Sequence, residues 1–221
     1  PYEKDMYVCD VGAHHVCLLN KFNVVDHHTL LVTKKYEEQT KLLNLDDFAA
    51  LAQAMSEYPA LAFYNCGKLA GASQHHKHLQ LVPLPLGEDG ADVPISKVLE
   101  TEIVNATQPG LKFKHRFCWL TPEHWKQPKA LFTQYTTFIA DLGLRDGEDG
   151  RPYNLLITRN WLMLVPRRGE AVQGVVINSF GFIGAILVRS QEELDWLHTY
   201  GPMQLLATVG FPNHVGCNHQ A

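Results

Sequence analysis

The sequence predicts an α+β fold built on a largely antiparallel sheet, and three observations lead there. Apolar runs of strand length cluster with short polar connections, helical stretches fall between those clusters, and no repeated strand–helix–strand unit is apparent in the 221 residues. Hydrophobic residues make up 46% of the chain, enough for one large core or two small ones.

From Val16 to Thr33 two apolar runs, VCLLNKFNVV and HTLLVT, are parted by DHH, which reads as a turn between strands. In LDDFAALAQAMSEYP the residues Phe48, Leu51, Ala52 and Met55 recur at helical spacing behind an acidic first turn, and Pro59 stands just past the end. ALAFYN reads as a strand entering a glycine-containing segment, and KHLQLVPL as a strand leaving it. Gly87 to Pro94 is an acidic, Gly- and Pro-bearing linker. After it, ISKVLETEIV and ALFTQYTTFIADLGL read as helices, the second through Leu131, Tyr135, Phe138 and Leu142. RDGEDGRP breaks the chain again, and YNLLIT and WLMLVP then flank RN as a hairpin. VVINSFGFIGAILVR reads as a strand, a Gly-interrupted bend and another strand. Ser190 followed by Glu193 marks the start of a last helix, which breaks at Gly201 and Pro202 before a short helical ending.

A formal charge of -4 and a pI near 6.3 leave no basic excess for a nucleic acid backbone, so the expected partners do not include one. No apolar segment approaches the roughly 20 residues that span a bilayer, and the expectation is a cytoplasmic protein without a membrane partner. The chain enters at Pro1 in mid-element, so preceding sequence is expected. Cys9, Cys17, Cys66, Cys118 and Cys217 are scattered without a C-x-x-C pair, which speaks against a disulfide framework and a cysteine zinc site.

The chemistry concentrates in NCGKLAGASQHHKHLQLVP, residues 65–83. If HKHLQ is extended, side chains alternate, and His76, His78 and Gln80 share one face while His75, Lys77 and Leu79 take the other. Gly71, Ala72 and Ser73 would let a ligand approach the backbone and meet its N–H groups. Together these features describe a phosphate held by loop amides beside a neutral imidazole, whose nitrogen can attack phosphorus. A metal on His76 and His78 is the weaker alternative, because no acidic or Cys ligand stands at a supporting spacing. Simple hydrogen bonding of the histidines within the strand is the other.

HKHLQ resembles the His-x-His-x-Gln motif in the transferase branch of the histidine-triad superfamily. GASQHHKHLQLVPLPL, with NKFNVVDHHTLLVTKKYEEQ upstream and YNLLITRNWLMLVPRR and NSFGFIGAILVR downstream, is similar to the diadenosine tetraphosphate phosphorylase (ATP adenylyltransferase) family more than to its uridylyltransferase relatives. The resemblance covers most of the chain. It implies a histidine-triad-like fold, with a catalytic half at 1–110 and an ATP adenylyltransferase C-terminal half at 111–221 that pack as one unit.

The resemblance also implies roles. His78 falls on the nucleophile, with Gln80 supporting the α-phosphate and His76 as the first histidine of the catalytic motif. Gly71, Ala72, Ser73 and Gln74 fall on the phosphate-contacting segment and Asn65 on a substrate-binding Asn; Asn178, Ser179 and Phe180 fall on a nucleotide-contacting segment. Ala185 and Arg189 fall on further contact positions where the family is expected to carry Met and Lys, so the chain departs there. Lys21 and Lys34 are candidate phosphate contacts, Lys21 the better, with a solvated lysine as the bland reading of each. His75 is read as a surface or packing residue, His27 and His28 as structural or supporting the site, and Trp119, Trp125 and Trp161 as core or rim. His115 and His124 show no partner pattern.

The implied reaction is phosphorolysis of diadenosine tetraphosphate to ATP and ADP through a covalent adenylyl-His78 intermediate, with a dinucleoside polyphosphate, ATP, ADP and inorganic phosphate as the expected partners. Mg2+ is expected to accompany the polyphosphate, with no protein-held metal. A homodimer is allowed. A dinucleoside polyphosphate hydrolase and a non-catalytic nucleotide-binding module are the rival readings. Gln80 speaks against the hydrolase, because an amide cannot exchange the proton that a third histidine could.

Overall fold

The computed structural model describes residues 3–21, 23, 25–101, 103–104, 106–145 and 151–213. Strands β1 (Tyr7–Val11), β2 (His15–Leu19) and β3 (Thr29–Thr33) lead into helix α1 (Leu45–Glu57), then β4 (Ala60–Cys66) and β5 (His78–Pro83). A single turn, α2 (Ser96–Leu99), precedes β6 (Arg116–Trp119), α3 (Pro122–Lys126), α4 (Pro128–Leu142) and the hairpin of β7 (Tyr153–Ile157) and β8 (Trp161–Pro166). The short ribbon β9 (Ala171–Val172) and β10 (Val175–Val176) is followed by α5 (Ser179–Phe182), α6 (Gln191–Tyr200) and α7 (Pro202–Val209).

Eight strands form one sheet in the order β1-β2-β3-β5-β4-β7-β8-β6, and every pairing in it is antiparallel. This is the α+β architecture expected. The two halves of the chain meet inside the sheet where β4 pairs with β7, Asn65 opposite Asn154.

Strand alternation sends side chains to two cores. Along β8, Leu162 and Leu164 join the first core while Trp161, Met163 and Val165 join the second. The first core is covered by α1 and α4 through Phe48, Leu51, Met55, Leu131, Tyr135 and Phe138. The second is covered by α5, α6 and α7 through Phe182, Leu197, Leu205 and Val209. Helix α1 starts where it should: Asn44 accepts from the Asp47 N–H, and the Asp47 carboxylate accepts from the Asn44 N–H.

Several expectations are corrected. The first apolar run is a strand only to Leu19, and β1 and β6 were not anticipated. The helix expected over ISKVLETEIV is one turn, because the Thr101 hydroxyl binds the Val98 carbonyl and the Gln108 amide binds the Leu99 carbonyl, which a further turn would need. The segment from Val175 is not two strands. Asn178 caps α5 by accepting from the Phe180 N–H, and residues 183–189 carry no strand. At α6 Ser190 accepts from the Glu193 N–H, but the Glu193 carboxylate binds the Arg189 N–H, so only half of the expected box forms. Most of the second break, residues 146–150, and Cys217 lie outside the described residues.

Candidate active site

Strand β5 lies between β3 and β4, with Val32 opposite His78 and both Leu30 and Phe63 opposite Gln80. Paired residues share a face, so His78 and Gln80 stand on the side of Phe63 and the second core. The β4–β5 ladder stops at Phe63 and Gln80. Beyond it the buried Gln39 side chain stands in for the missing strand: its Oε1 accepts from the His78 N–H at 2.8 Å, and its Nε2 donates to the His78 and Asn65 carbonyls at 3.2 and 3.0 Å.

This backbone clamp holds a defined imidazole. His78 Nδ1 donates to the His76 carbonyl at 2.8 Å, which leaves the lone pair on Nε2. Burial pushes the His78 pKa below the ordinary histidine value, against the His76 carbonyl and with a smaller contribution from the His76 ring. A neutral, fixed imidazole with an unprotonated Nε2 is what attack on phosphorus requires.

The expected alternation does not extend back to His76. The chain there forms an isolated bridge to Glu38 instead of a named strand, and the His76 ring is held by Thr33 Oγ1 at 3.0 Å and lies against Tyr36. The observed contact of His76 with His78 is its carbonyl. His75 is exposed. Lys77 turns to the opposite face, where its buried ammonium meets Asp47 Oδ2 at 2.6 Å and Glu37 at 3.1 Å, while Asp47 Oδ1 binds His15 at 2.8 Å. This ionic cluster pins the motif strand to α1.

Gln80 is oriented by a residue read only as structural or supporting. His28 Nε2 lies 3.0 Å from Gln80 Oε1, and Asn20 Nδ2 lies 3.1 Å from His28 Nδ1. Burial lowers the His28 pKa, and the neighbouring His78 adds to the shift while Gln80 opposes it.

The loop beside the motif is tightly made. Gly71, at φ 91°, passes so close to Asn178 that a Cβ would sit 2.7 Å from the Asn178 Cβ and 2.9 Å from its Cα. The expectation that loop amides face a ligand narrows here, since the Gly71 N–H donates to Lys68 O and the Ala72 N–H to Gly67 O. The N–H groups of exposed Ser73 and Gln74 have no backbone acceptor among the described residues.

Behind the loop lies a buried polar network. Asn65 Oδ1 accepts from Asn154 Nδ2 at 2.8 Å and from the Ser179 hydroxyl at 2.6 Å. The side-chain oxygens of Asn65 and Ser179 are therefore engaged within the protein. Asn154 Oδ1 in turn accepts from Arg167 Nη1 at 2.6 Å. The remaining Arg167 N–H groups bind the carbonyls of Ala70, Ile177, Gly169 and Val209, and the guanidinium lies over Phe182. Arg167 thus ties Ala70, before Gly71, to Ile177, before Asn178. Neither Asn154 nor Arg167 was singled out from the sequence.

A cleft of about 330 Å³ opens at this junction, lined among others by Gly71, Asn178, Ala185, Arg189 and Glu193. Its volume falls in the range of about 300–1,000 Å³ common for small-molecule sites. Four of the expected contact residues are brought together there, whereas His78 and Gln80 are not part of its lining. Phe180 packs edge-on against Phe63 with ring centroids 5.2 Å apart. Lys21 is exposed and paired with Glu3 at 2.7 Å, and Lys34 pairs with Asp10 at 3.1 Å. His115 is structural, with Nδ1 donating to Phe113 O and Nε2 accepting from the Gln108 N–H; burial lowers its pKa to about 4. Among the described residues no group of three or more His, Cys, Asp or Glu side chains is placed to hold a metal, and no helix is long and apolar enough to cross a membrane.

Comparison with known proteins places these features in one family. Residues 1–101 match the Ap4A phosphorylase N-terminal domain, and residues 109–212 match the ATP adenylyltransferase C-terminal domain. Diadenosine 5',5'''-P1,P4-tetraphosphate phosphorylase 2 of Saccharomyces cerevisiae is 32% identical over 235 aligned positions, which cover 90% of this chain and 70% of the relative. Protein APA1 of the same yeast is 30% identical, with the same coverage of both chains. The crystal structure of yeast Ap4A phosphorylase Apa2 superimposes with a TM-score of 0.81 at 28% identity, covering 97% of this chain and 78% of that one. The chain belongs to the Ap4A phosphorylase (ATP adenylyltransferase) family.

Proposed function

We propose that the protein is a nucleotidyltransferase that phosphorolyses diadenosine tetraphosphate to ATP and ADP through an adenylyl-His78 intermediate. The observation that carries the mechanism is the fixed tautomer of His78, whose Nδ1–H is tied to the His76 carbonyl. Nε2 attacks the phosphorus next to one adenosine, the N–P bond forms, and the P–O bond to the departing ATP breaks. Inorganic phosphate then attacks the same phosphorus, the N–P bond breaks, and ADP leaves with the imidazole restored. Two inversions give net retention. The two groups displaced from phosphorus, ATP in the first step and the neutral His78 imidazole in the second, are stable without a proton from the protein, which suits a site whose third motif position is the amide Gln80. Gln80 donates to a phosphoryl oxygen as charge builds in the transition state.

The same reading places Mg2+ with the tetraphosphate, whose charge calls for a divalent companion. It places the enzyme in the cytoplasm and admits a homodimer. Product analysis of diadenosine tetraphosphate and Mg2+ with and without phosphate tests it. Phosphate-dependent ATP and ADP are expected; ATP and AMP formed regardless of phosphate would replace the transferase with a hydrolase, and no products would leave a binding module.

A further inference from the structure

Gln80 can serve a transition state only if it presents the correct end of its amide. An amide has an accepting oxygen and a donating nitrogen, and a phosphoryl group gaining negative charge needs the donor. Something must therefore break the near-symmetry of the two ends. Asn20 Nδ2 approaches His28 Nδ1 at 3.1 Å, and a donor there requires that Nδ1 carry no proton. The proton of a neutral His28 is then on Nε2, which stands 3.0 Å from Gln80 Oε1 and donates to it. With its oxygen held, Gln80 is left with its NH2 group, which has no protein acceptor among the described residues.

We propose that Asn20 and His28 are positioning residues that set the polarity of the Gln80 amide, so that its NH2 end faces the transferring phosphoryl group. The proposal rests on the adenylyl-transfer reading for its kinetic consequence, but its structural content can be read without turnover. The surroundings suit a relay that keeps one direction. His28 is 6% exposed and lies against the Phe63 ring with centroids 5.9 Å apart. Burial lowers its pKa, with the Gln80 hydrogen bond opposing the shift.

The first test is the 15N signature of the His28 ring in the full-length wild-type protein without substrate. The expected state is the neutral Nε2–H tautomer; an Nδ1–H tautomer or an imidazolium at neutral pH would overturn the proposal whether or not the enzyme turns over. The second uses Asn20→Asp, which changes no shape and reverses the relay. A carboxylate accepts from Nδ1–H. While His28 is doubly protonated, Nε2–H still reaches Gln80 Oε1. Once it loses a proton, the remaining one stays on Nδ1, Nε2 becomes an acceptor, and the Gln80 amide turns over.

The kcat of Asn20→Asp relative to wild type is therefore expected to fall as pH rises across about pH 5.5 to 8.5, by about tenfold or more, with nucleotide affinity unchanged. The groups facing His28 are Asn20, Gln80, the Phe63 ring and the titratable His78. The Lys21–Glu3 pair follows Asn20 in the chain. His78 and that pair are present in both proteins, so the ratio reports His28 together with the carboxylate introduced beside it. A ratio independent of pH would refute the relay. As a control on folding, His28→Gln keeps a donor for Gln80 and is expected to retain more kcat than His28→Phe at equal thermal stability; equal losses would also refute it. Absence of phosphate-dependent products from wild type would count against the phosphorolysis reading alone, because the ring signature stands apart from it.

Discussion

Replacing Arg167 by Met removes a buried guanidinium whose Nε, Nη1 and Nη2 together make hydrogen bonds to Val209, Ala70, Asn154, Gly169 and Ile177. Hydrogen bonds to a charged donor contribute about 1.5–3 kcal/mol each, so these five would sum to roughly 7–15 kcal/mol if independent. They are not independent of the charge that makes them. No carboxylate lies within ion-pair distance of Arg167 among the described residues, and burial lowers its pKa to about 9. Burying such a charge costs several kcal/mol, which offsets a large part of the sum. The methionine stem also replaces part of the packing against Phe182. The expected net loss is about 3–5 kcal/mol, in line with other deletions from buried charged networks. Against a typical domain stability of about 5–15 kcal/mol, the variant remains folded but marginal. Urea unfolding followed by tryptophan fluorescence measures the loss. A change below about 1 kcal/mol would show that water or neighbouring groups satisfy the abandoned carbonyls, and would refute the account of Arg167 as the tie between Ala70 and Ile177.

The other expectations can be checked on the same preparation. His78→Asn should abolish turnover while nucleotide binding by calorimetry stays within about threefold, since the backbone of residue 78 keeps its Gln39 contacts. Gly71→Ala places a Cβ 2.7 Å from that of Asn178 at φ 91°, and should destabilise the protein by about 1–2 kcal/mol for the backbone alone, with a further cost from the clash and weaker nucleotide binding. Gly143→Ala, at φ 64° with nothing within 4 Å, should show the backbone cost without the clash or the binding defect. Asp47 responds to pH. Burial alone would raise its pKa, but the His15 hydrogen bond, the Lys77 charge and the Asn44 amide bring it below the ordinary value. A depressed carboxylate pKa contributes stability that is present above its unfolded value of about 4 and is lost as pH falls through the folded value. Denaturation midpoints for wild type should therefore drop on acidification below about pH 4, and Asp47→Asn should weaken that dependence while losing about 3–5 kcal/mol at neutral pH.

The parts of the site that were legible in the sequence are those whose geometry is local. His78 and Gln80 are two residues apart on one strand, and a strand puts such residues on one face. Helix α1 declares its start at Asn44 and its buried face through Phe48, Leu51 and Met55. His76 was misplaced because the alternation was extended across Lys77, where the chain is not yet in the strand. Arg167 and Asn154 were illegible for a different reason. The partners of Arg167 are mostly backbone carbonyls, those of Ala70, Gly169, Ile177 and Val209, and no side-chain pattern marks a carbonyl as an acceptor; Asn154 meets the side chains of Asn65, Ser179 and Arg167, which only the folded chain brings to it. The α5 cap was legible in principle, since Asn178 before an apolar run is an N-cap signal, but the surrounding Val, Ile and Phe residues favoured a strand reading. His28 could be placed near a turn, yet only the β3–β5 neighbourhood brings it to Gln80, 52 residues away.

The covalent step is tested most directly by mass spectrometry of the protein exposed briefly to diadenosine tetraphosphate and Mg2+ without phosphate, then quenched away from acid and digested. The account predicts one adenylyl group on the peptide that carries His78, released as ADP when phosphate is added. Turnover without any adduct, or an adduct on another residue, would contradict it.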